Sequence, residues 1–201
     1  MIKNIIFDFG DVFINLDKQV IFREMSSYGG TIELTPEMMR LNDTYEVGDI
    51  STEAFIENLA KLYPQASPEE ITRIWNSMLL DFPDERLRFI EGMAAEGKYR
   101  LLLLSNTNAL HIPHVKKIMG AEKFHRFKGA FEKFYLSHEI NLRKPDAEIY
   151  EFVLNENGLK AAETFFIDDT KQNTDAAEKL GIRCWHLKVG EEDIVQLKSK
   201  L

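Results

Sequence analysis

The sequence contains very little cysteine, and this shortage excludes two kinds of site. Cys184 is the single cysteine among 201 residues, so an internal disulfide framework and a cluster of thiolate metal ligands are both excluded. Its neighbours are typical of a strand, which predicts an inert buried thiol. Long apolar runs are also missing, and Asp8 and Asp11 interrupt any signal-peptide core near the start. We therefore expect a soluble cytoplasmic protein.

Basic residues are in deficit, and this bears on the partners. Lysine and arginine number 25 against 33 aspartate and glutamate residues, for a formal net charge of -8. Such a balance argues against a non-specific nucleic-acid binder and against a protein of anionic membrane surfaces. A phosphorylated substrate stays compatible with it, because a bound metal ion and helix ends set the local field. The length suits one domain, with room for an inserted lobe.

The stretch from Ile5 to Phe13 is the starting point for the fold. Its apolar residues do not alternate with polar ones, which predicts a strand over about Lys3 to Phe9 that is buried on both faces of a parallel sheet. Such sheets bind ligands at the carboxyl ends of their strands. Asp8 is expected at that edge, although a lone aspartate after a strand can also serve only a turn.

Strands and helices alternate again in the second half of the chain. Further strands are predicted over four ranges: Arg100 to Leu104, Lys133 to Leu136, Thr164 to Ile167 and Arg183 to Leu187. Helical patterns separate them, and a polar helix is predicted from Glu191 to Leu201. This order indicates an α/β fold, a Rossmann-like, doubly wound parallel sheet with right-handed crossovers.

Between the first strand and this alternating part, the sequence shows only helical patterns. Thr35-Pro36, Ser51 and the capping box Ser67-Pro68-Glu69-Glu70 are helix starts, and about four helices are expected. We predict a small all-helical cap domain over residues 17–83, inserted into a core of residues 1–16 plus 84–201. Its aromatic side chains are expected mostly in the core of the cap, with one or two cap residues facing the site.

Polar residues follow the predicted strands where parallel strands end together. Hard oxygen ligands without histidine or cysteine favour Mg²⁺ over zinc or copper. A hydroxyl at a helix start and a lysine suit phosphate oxygens, and an aspartate can act as a nucleophile. The residues are Asp8, Ser105, Asn106, Lys144, Asp168 and Asp169. Ser105 could instead be only a helix N-cap, and Lys144 only a surface lysine.

Four motifs in this order resemble those of the haloacid dehalogenase superfamily, in the branch with an all-helical cap after the first motif. They are Phe7-Asp8-Phe9-Gly10-Asp11-Val12, Leu104-Ser105-Asn106-Thr107, Arg143-Lys144-Pro145 and Phe166-Ile167-Asp168-Asp169. Within it, the sequence is similar to a bacterial group that resembles α-D-glucose-1-phosphate phosphatase and shares the Ser-Asn-Thr-Asn and Arg-Lys-Pro forms.

The resemblance implies a metal site and a nucleophile. Asp8 would be the nucleophile and a Mg²⁺ ligand, with the backbone carbonyl of Gly10 and the side chain of Asp169 as further ligands. Asp168 would lie beside the metal or just behind its ligands. Asn173 would orient the groups near it.

The resemblance also implies how substrate is held. Ser105 and the backbone of Asn106 would bind the phosphoryl group, and Lys144 would neutralise charge between nucleophile and phosphate. Gly10 is a departure, since most phosphatases of the superfamily carry there the aspartate that protonates the leaving oxygen. The most similar relatives also have glycine there, and we do not assign this role to Asp11.

The expected function is a Mg²⁺-dependent phosphatase for a small phosphorylated metabolite, such as a sugar phosphate, in a monomer or weak homodimer. Two alternatives remain: a 2-haloacid dehalogenase, which needs no metal, and a catalytically weak phosphometabolite-binding protein. His111 and His114 show no third metal ligand, and Pro113 between them is expected to disrupt a helical face. We interpret both as ordinary surface or loop histidines.

Overall fold

A parallel sheet forms the centre of the computed structural model, which describes residues 1–29 and 35–201. Within these residues it has five strands: β1 Asn4–Phe7, β2 Arg100–Ser105, β3 Lys133–Leu136, β4 Thr164–Asp168 and β5 Arg183–His186. Their spatial order is β3-β2-β1-β4-β5, with every neighbouring pair parallel. The predicted α/β fold with a doubly wound parallel sheet is confirmed.

The register brings the ends of the central strands together. Phe7 of β1 lies opposite Leu103 of β2 and Ile167 of β4. The residues after these positions therefore emerge at one edge of the sheet. Hydrophobic clusters cover both faces, with Ile5 in one and Ile6 in the other, which is why β1 shows no polar alternation.

Four short helices follow the first strand within the described residues, and the last three of them have side-chain caps. They are α1 Val20–Met25, α2 Pro36–Glu46, α3 Thr52–Leu62 and α4 Pro68–Asn76. The hydroxyls of Thr35 and Ser51 each accept a hydrogen bond from a backbone N–H of the following first turn, and Ser67 with Glu70 forms the complete capping box. Residues 30–34 of the predicted cap lie outside the described residues.

The four helices pack around a hydrophobic cluster of their own. Phe55 stacks on Tyr45 with ring centroids 4.1 Å apart and meets the edge of Trp75 at 4.8 Å. Two chain segments join this cluster to the sheet. The Asn15 N–H donates to the Asp81 carbonyl at 3.0 Å, and the Leu80 N–H donates to the Asn15 carbonyl at 2.9 Å.

The remaining helices flank the sheet. They are α5 Asp84–Glu96, α6 His111–Met119, α7 Ala121–Gly129, α8 Ser137–Ile140, α9 Ala147–Glu156 and α10 Lys171–Lys179. The sequence analysis does not predict α7 and α8. Gly120 follows α6, and its positive φ of 81° lets the chain begin α7 at once. Phe127 of α7 is fully buried.

The tail differs from the predicted α-helix. Ile194–Ser199 form a 3₁₀-helix, in which residues three apart share a face. This geometry buries Ile194 and Leu197 together, so it suits the tail's apolar spacing. Cys184 on β5 is partly rather than fully buried, and burial raises the pKa of its thiol to about 12. No helix within residues 1–29 and 35–201 has the length and apolar composition needed to cross a membrane.

Candidate active site

A buried ammonium group links two carboxylates at the carboxyl edge of the sheet. Asp8 directly follows β1, Asp168 ends β4, and Lys144 lies in the loop between α8 and α9. The Lys144 Nζ donates to Asp8 Oδ1 and to Asp168 Oδ2, both at 2.6 Å. Lys144 is only 1% exposed. It is therefore not the surface lysine of the alternative interpretation.

The protonation equilibria of this group depend on burial and on charge. Burial, opposed by the attraction of Lys144 and reinforced by Asp168 and Asp169, raises the pKa of Asp8 to about 7. Burial alone would lower the pKa of Lys144, but the carboxylates of Asp168 and Asp8 outweigh it and raise this pKa. The lysine thus stays charged while Asp8 titrates near neutrality.

Asp168 is held by donors on several sides. The Asn173 Nδ2 donates to its two carboxylate oxygens at 3.0 and 3.1 Å, and the Thr170 N–H donates to Oδ1 at 2.8 Å. Asp168 is completely buried and is not among the residues that line the cavity, whereas Asp169 is. Asp168 therefore holds the Lys144 ammonium group in place, and Asn173 holds the carboxylate of Asp168.

The side chain of Asn106 holds the backbone of the same lysine. Its Nδ2 donates to the Lys144 carbonyl at 2.8 Å, and its Oδ1 accepts from the Lys144 N–H at 2.9 Å. Ser105, the last residue of β2, is 2% exposed and lines the cavity beside Asn106. Ser105 caps no helix, because α6 begins only at His111. The N-cap interpretation of Ser105 is wrong.

Lys18 is a residue of the site that the sequence analysis misses. Its Nζ lies 2.6 Å from Asp169 Oδ2 and 2.9 Å from Asp11 Oδ2. Burial would lower the pKa of Lys18, but Asp169 and Asp11 raise it overall. The other oxygen of Asp11 accepts from the Leu16 N–H at 3.0 Å, so Asp11 braces the loop after β1. Nothing in the sequence separates Lys18 from an ordinary surface lysine.

The acidic residues at this edge fit a hard divalent cation. Asp8, Asp168 and Asp169 each offer a carboxylate oxygen, and these oxygens lie within 4.8 Å of one another. Gly10 lines the same cavity as Asp8 and Asp169. Oxygen donors without nitrogen or sulfur suit Mg²⁺.

Gly10 lies close to the side chain of Leu16. A Cβ atom placed on Gly10 would lie 2.8 Å from Leu16 Cδ1. That is closer than carbon atoms approach each other in close-packed interiors. The flexible end of the Leu16 side chain would therefore have to shift to admit a side chain at position 10.

A cavity of about 560 Å³ extends from this edge of the sheet to the helices of residues 20–76. The residues that line it on the sheet side include Asp8, Gly10, Lys18, Ser105, Asn106, Arg143, Lys144 and Asp169. On the other side it is lined mainly by α2 and by aromatic and apolar side chains: Ile21, Phe22, Met38, Met39, Asn42, Asp43, Glu46, Trp75, Met78 and Leu79. Two aromatic residues of the predicted cap, Phe22 and Trp75, thus face the site.

The interpretation of His111 and His114 as surface or loop residues is wrong for His111. This residue begins α6 and is buried, with Nε2 3.2 Å from the Trp75 carbonyl and Nδ1 3.2 Å from Asn108 Nδ2. Pro113 lies in the first turn of α6, where a missing N–H costs nothing. Burial lowers the pKa of His111 to about 4. A neutral imidazole therefore joins α6 to α4.

The sequence matches a known family over most of its length. The family described as "Haloacid dehalogenase-like hydrolase" matches residues 5–186. The chain is similar to D-ribitol-5-phosphate phosphatase of Bacteroides thetaiotaomicron, with 25% identity over 198 residues that cover 96% of this chain and 95% of the relative.

Solved structures give the same result. A haloacid dehalogenase family enzyme of Bacteroides thetaiotaomicron, a magnesium complex, has 33% identity and a TM-score of 0.84, covering 95% of this chain and 96% of that one. A structure of the wild-type enzyme with magnesium and inorganic phosphate gives 31% identity and a TM-score of 0.78, covering 96% and 97%. The family resemblance is therefore confirmed, and the chain belongs to the haloacid dehalogenase-like hydrolases.

Proposed function

We propose that the protein is a Mg²⁺-dependent phosphatase that hydrolyses a small phosphorylated metabolite, a sugar phosphate or sugar-alcohol phosphate, through an aspartyl-phosphate intermediate. The observation that carries this proposal is the buried ion-paired group of Asp8, Lys144 and Asp168. Asp8 and Lys144 line a cavity of about 560 Å³ together with Asp169. A relative that this chain matches over 95% of the relative's length is named D-ribitol-5-phosphate phosphatase.

Asp8 is the proposed nucleophile. One carboxylate oxygen is held by Lys144 at 2.6 Å, which leaves the other oxygen to attack phosphorus. The new Oδ–P bond forms as the bond between phosphorus and the substrate oxygen breaks. Water then hydrolyses the aspartyl phosphate, which releases inorganic phosphate and regenerates Asp8.

Lys144, Ser105 and Asn106 are proposed to stabilise the transferring phosphoryl group. The Lys144 ammonium offsets negative charge between Asp8 and the phosphate, and Asp168, Asn173 and Asn106 hold it in place beforehand. Positioned charges of this kind need no rearrangement during the reaction. The Ser105 hydroxyl and the Asn106 backbone N–H are the proposed donors to phosphate oxygens.

The residues proposed to hold Mg²⁺ are Asp8, the carbonyl of Gly10 and Asp169. When bound, Mg²⁺ would supply positive charge to the phosphate oxygens, which lowers their repulsion of the attacking carboxylate. Asp169 now pairs with Lys18, and this contact would give way to the metal. Asp168 is already occupied by Lys144 and Asn173.

The leaving oxygen has no acid at position 10, because this residue is a glycine. In this proposal the leaving group takes its proton from water. Absence of general acid catalysis typically costs about 10²- to 10⁴-fold in rate. Substrates with a leaving oxygen of low basicity, such as the anomeric oxygen of a sugar, would lose least from this absence, whereas a primary alcohol oxygen depends more on proton transfer from water.

A panel of sugar phosphates and sugar-alcohol phosphates with MgCl₂ tests the function by release of inorganic phosphate. We expect turnover in wild type, its loss with EDTA and its loss in Asp8→Asn. Asp84→Asn, at an exposed carboxylate paired with Lys123, is the matched control and should retain activity.

Three outcomes would contradict the proposal. Phosphate release that persists in Asp8→Asn would exclude the proposed nucleophile. Halide release from 2-haloacids in EDTA would favour the dehalogenase alternative, and tight metabolite binding without turnover would favour a binding protein.

The division into domains, the location, the oligomeric state and the partners predicted from the sequence are also proposals. We propose that residues 17–83 form a cap on a core of residues 1–16 plus 84–201. We also propose a cytoplasmic location and a monomer or weak homodimer, without a nucleic-acid or membrane partner.

A further inference from the structure

One face of α2 carries polar groups into the cavity. Asn42, Asp43 and Glu46 follow Met38 and Met39 at helical spacing, and all five line the cavity. Residues three and four apart lie on the same face of a helix. The apolar part of this face therefore gives way to amide and carboxylate groups towards the carboxyl end of α2.

Arg143 meets these carboxylates from the sheet side. Its Nη2 lies 3.0 Å from Asp43 Oδ1 and 3.1 Å from Glu46 Oε2. Arg143 directly precedes Lys144, so their Cα atoms are about 3.8 Å apart. The ion pairs thus lie next to the residue that holds the proposed nucleophile.

Two donors on this side of the cavity have no hydrogen-bond partner in the described part of the chain. They are Arg143 Nε and Trp75 Nε1, both buried atoms, and Trp75 as a residue is only 7% exposed. A buried donor without a partner costs about 1–3 kcal/mol. Burial also raises the pKa of the Glu46 carboxyl, although Arg143 and Asn42 act to lower it.

We propose that Glu46, Asp43 and Arg143 form a hydroxyl-binding subsite that selects polyol phosphates, with Trp75 Nε1 as an additional donor. This inference rests on the proposed phosphatase function and assigns the residues that distinguish its substrates. Carboxylates accept hydrogen bonds from hydroxyl groups, and the guanidinium and indole N–H groups donate to them.

The mixture of groups separates polyols from other phosphorylated compounds. Two carboxylates against one guanidinium leave this side of the cavity with excess negative charge, which disfavours a second phosphate or carboxylate on the substrate. A simple alkyl phosphate offers no hydroxyl groups, so it would leave the donors and carboxylates unsatisfied. Sites built to bind a hydroxyl discriminate strongly against analogues that lack it.

The test compares D-ribitol 5-phosphate with ethyl phosphate, which keeps the phosphate but has no hydroxyls. The measured quantity is kcat/KM for D-ribitol 5-phosphate divided by kcat/KM for ethyl phosphate. It is compared between wild type, Glu46→Gln and Arg143→Lys. We expect the ratio to fall at least about 10-fold in both variants, mainly through KM for the polyol phosphate. Glu57→Gln on the exposed side of α3 is the matched control, and it should keep the wild-type ratio.

A role limited to holding the helices against the sheet predicts a different result. Glu46→Gln would then lower both kcat/KM values by the same factor and leave the ratio unchanged, which would overturn the inference. Arg143→Lys keeps the charge but loses the planar fork of donors. Melting temperatures of all variants identify any that fail to fold.

Binding measurements separate this inference from the phosphatase proposal. Calorimetric titrations use Asp8→Asn and Asp8→Asn/Glu46→Gln with the same two compounds. Preference for D-ribitol 5-phosphate that the second substitution removes would support the subsite even if no turnover occurs. Turnover without polyol preference would overturn the subsite. Equal binding in both variants, or binding of neither compound, would overturn it as well.

Discussion

At the residue scale, the site holds more carboxylates than ammonium groups, and Asp8, Asp168 and Lys144 among them are buried. Lys144 carries one positive charge against the carboxylates of Asp8 and Asp168, and Lys18 is shared by Asp11 and Asp169. Burying charges costs free energy that their mutual attraction does not always offset. Burial is the largest cause of the raised pKa of Asp8, about 7, and the attraction of Lys144 offsets it only in part.

The first prediction concerns Asp8→Asn in Mg²⁺-free protein. An unfolded chain ionises this carboxyl near its ordinary pKa of 3.8, and the folded protein does so near 7. The folded state therefore binds more protons in this interval, and stability falls as pH rises through it. Since one pKa unit corresponds to about 1.4 kcal/mol, Asp8→Asn should stabilise the protein by roughly 1–4 kcal/mol at pH 8.

Urea denaturation in EDTA at pH 5 and pH 8 measures this effect. The gain should shrink at pH 5, where the wild-type carboxyl is largely protonated. A loss of stability of equal size at both pH values would show that the Asp8–Lys144 ion pair stabilises the fold more than burial of Asp8 costs.

At the scale of single elements, polar side chains at helix starts fix where the helices of residues 20–76 begin. Ser67 Oγ accepts from the Glu70 N–H at 3.2 Å, and Glu70 Oε2 accepts from the Ser67 N–H at 2.8 Å. The bond accepted by Ser67 Oγ satisfies an N–H of the first turn. The bond accepted by Glu70 Oε2 satisfies the Ser67 N–H just before the helix. The helix they open carries Trp75, so the cap of α4 also positions one wall of the cavity.

The second prediction is that Ser67→Ala destabilises α4 and its neighbours. Loss of a serine N-cap costs about 1 kcal/mol. Hydrogen exchange of amides in α3 and α4 should accelerate, while amides of β1 and β4 should change less if residues 17–83 form a separate domain. Thr72→Ala, at a partly exposed residue inside α4, is the control for loss of a hydroxyl in the same helix. Equal acceleration throughout the chain would argue against the domain division.

At the scale of the whole molecule, side-chain contacts hold the helices of residues 20–76 against the sheet around the cavity. Arg143 binds Glu46, the Asn141 side chain donates to the Val47 carbonyl at 2.7 Å, and His111 meets the Trp75 carbonyl. These contacts come from loops and helices far apart in sequence. They enclose the space in which the proposed substrate binds.

The third prediction is that Mg²⁺ stabilises the folded protein. A ligand that binds only the folded state at 100 times its Kd contributes about 2.7 kcal/mol. For a chain of this size, that corresponds to a rise in Tm of roughly 5–10 °C. Thermal unfolding with MgCl₂ and with EDTA measures it, and Asp169→Asn should abolish most of the rise.

A matched control for this metal test is Asp175→Asn, at an exposed carboxylate that pairs with Lys171. It should show the full rise in Tm with MgCl₂. An undiminished rise in Asp169→Asn would place the metal elsewhere.

The sequence alone determined the order of the strands, most of the helices, and several of the residues at the carboxyl edge. Apolar runs without alternation predict buried parallel strands, and Ser67 with Glu70 predicts a helix start, because both signals depend on neighbours in the chain. Asp8, Ser105 and Lys144 could be expected together since parallel strands end at one edge. The short helix α8 and the 3₁₀ tail could not, because packing of a few apolar side chains decides them.

Only the tertiary structure decided what each polar residue contacts. It placed Lys18 on Asp169, turned Asn106 towards the Lys144 backbone, set the end of Leu16 beside Gly10, and brought Glu46 to Arg143 across 97 residues of sequence. Such contacts depend on distances between elements that are remote in the chain. Local sequence patterns carry no record of those distances, whereas close packing around the cavity fixes them.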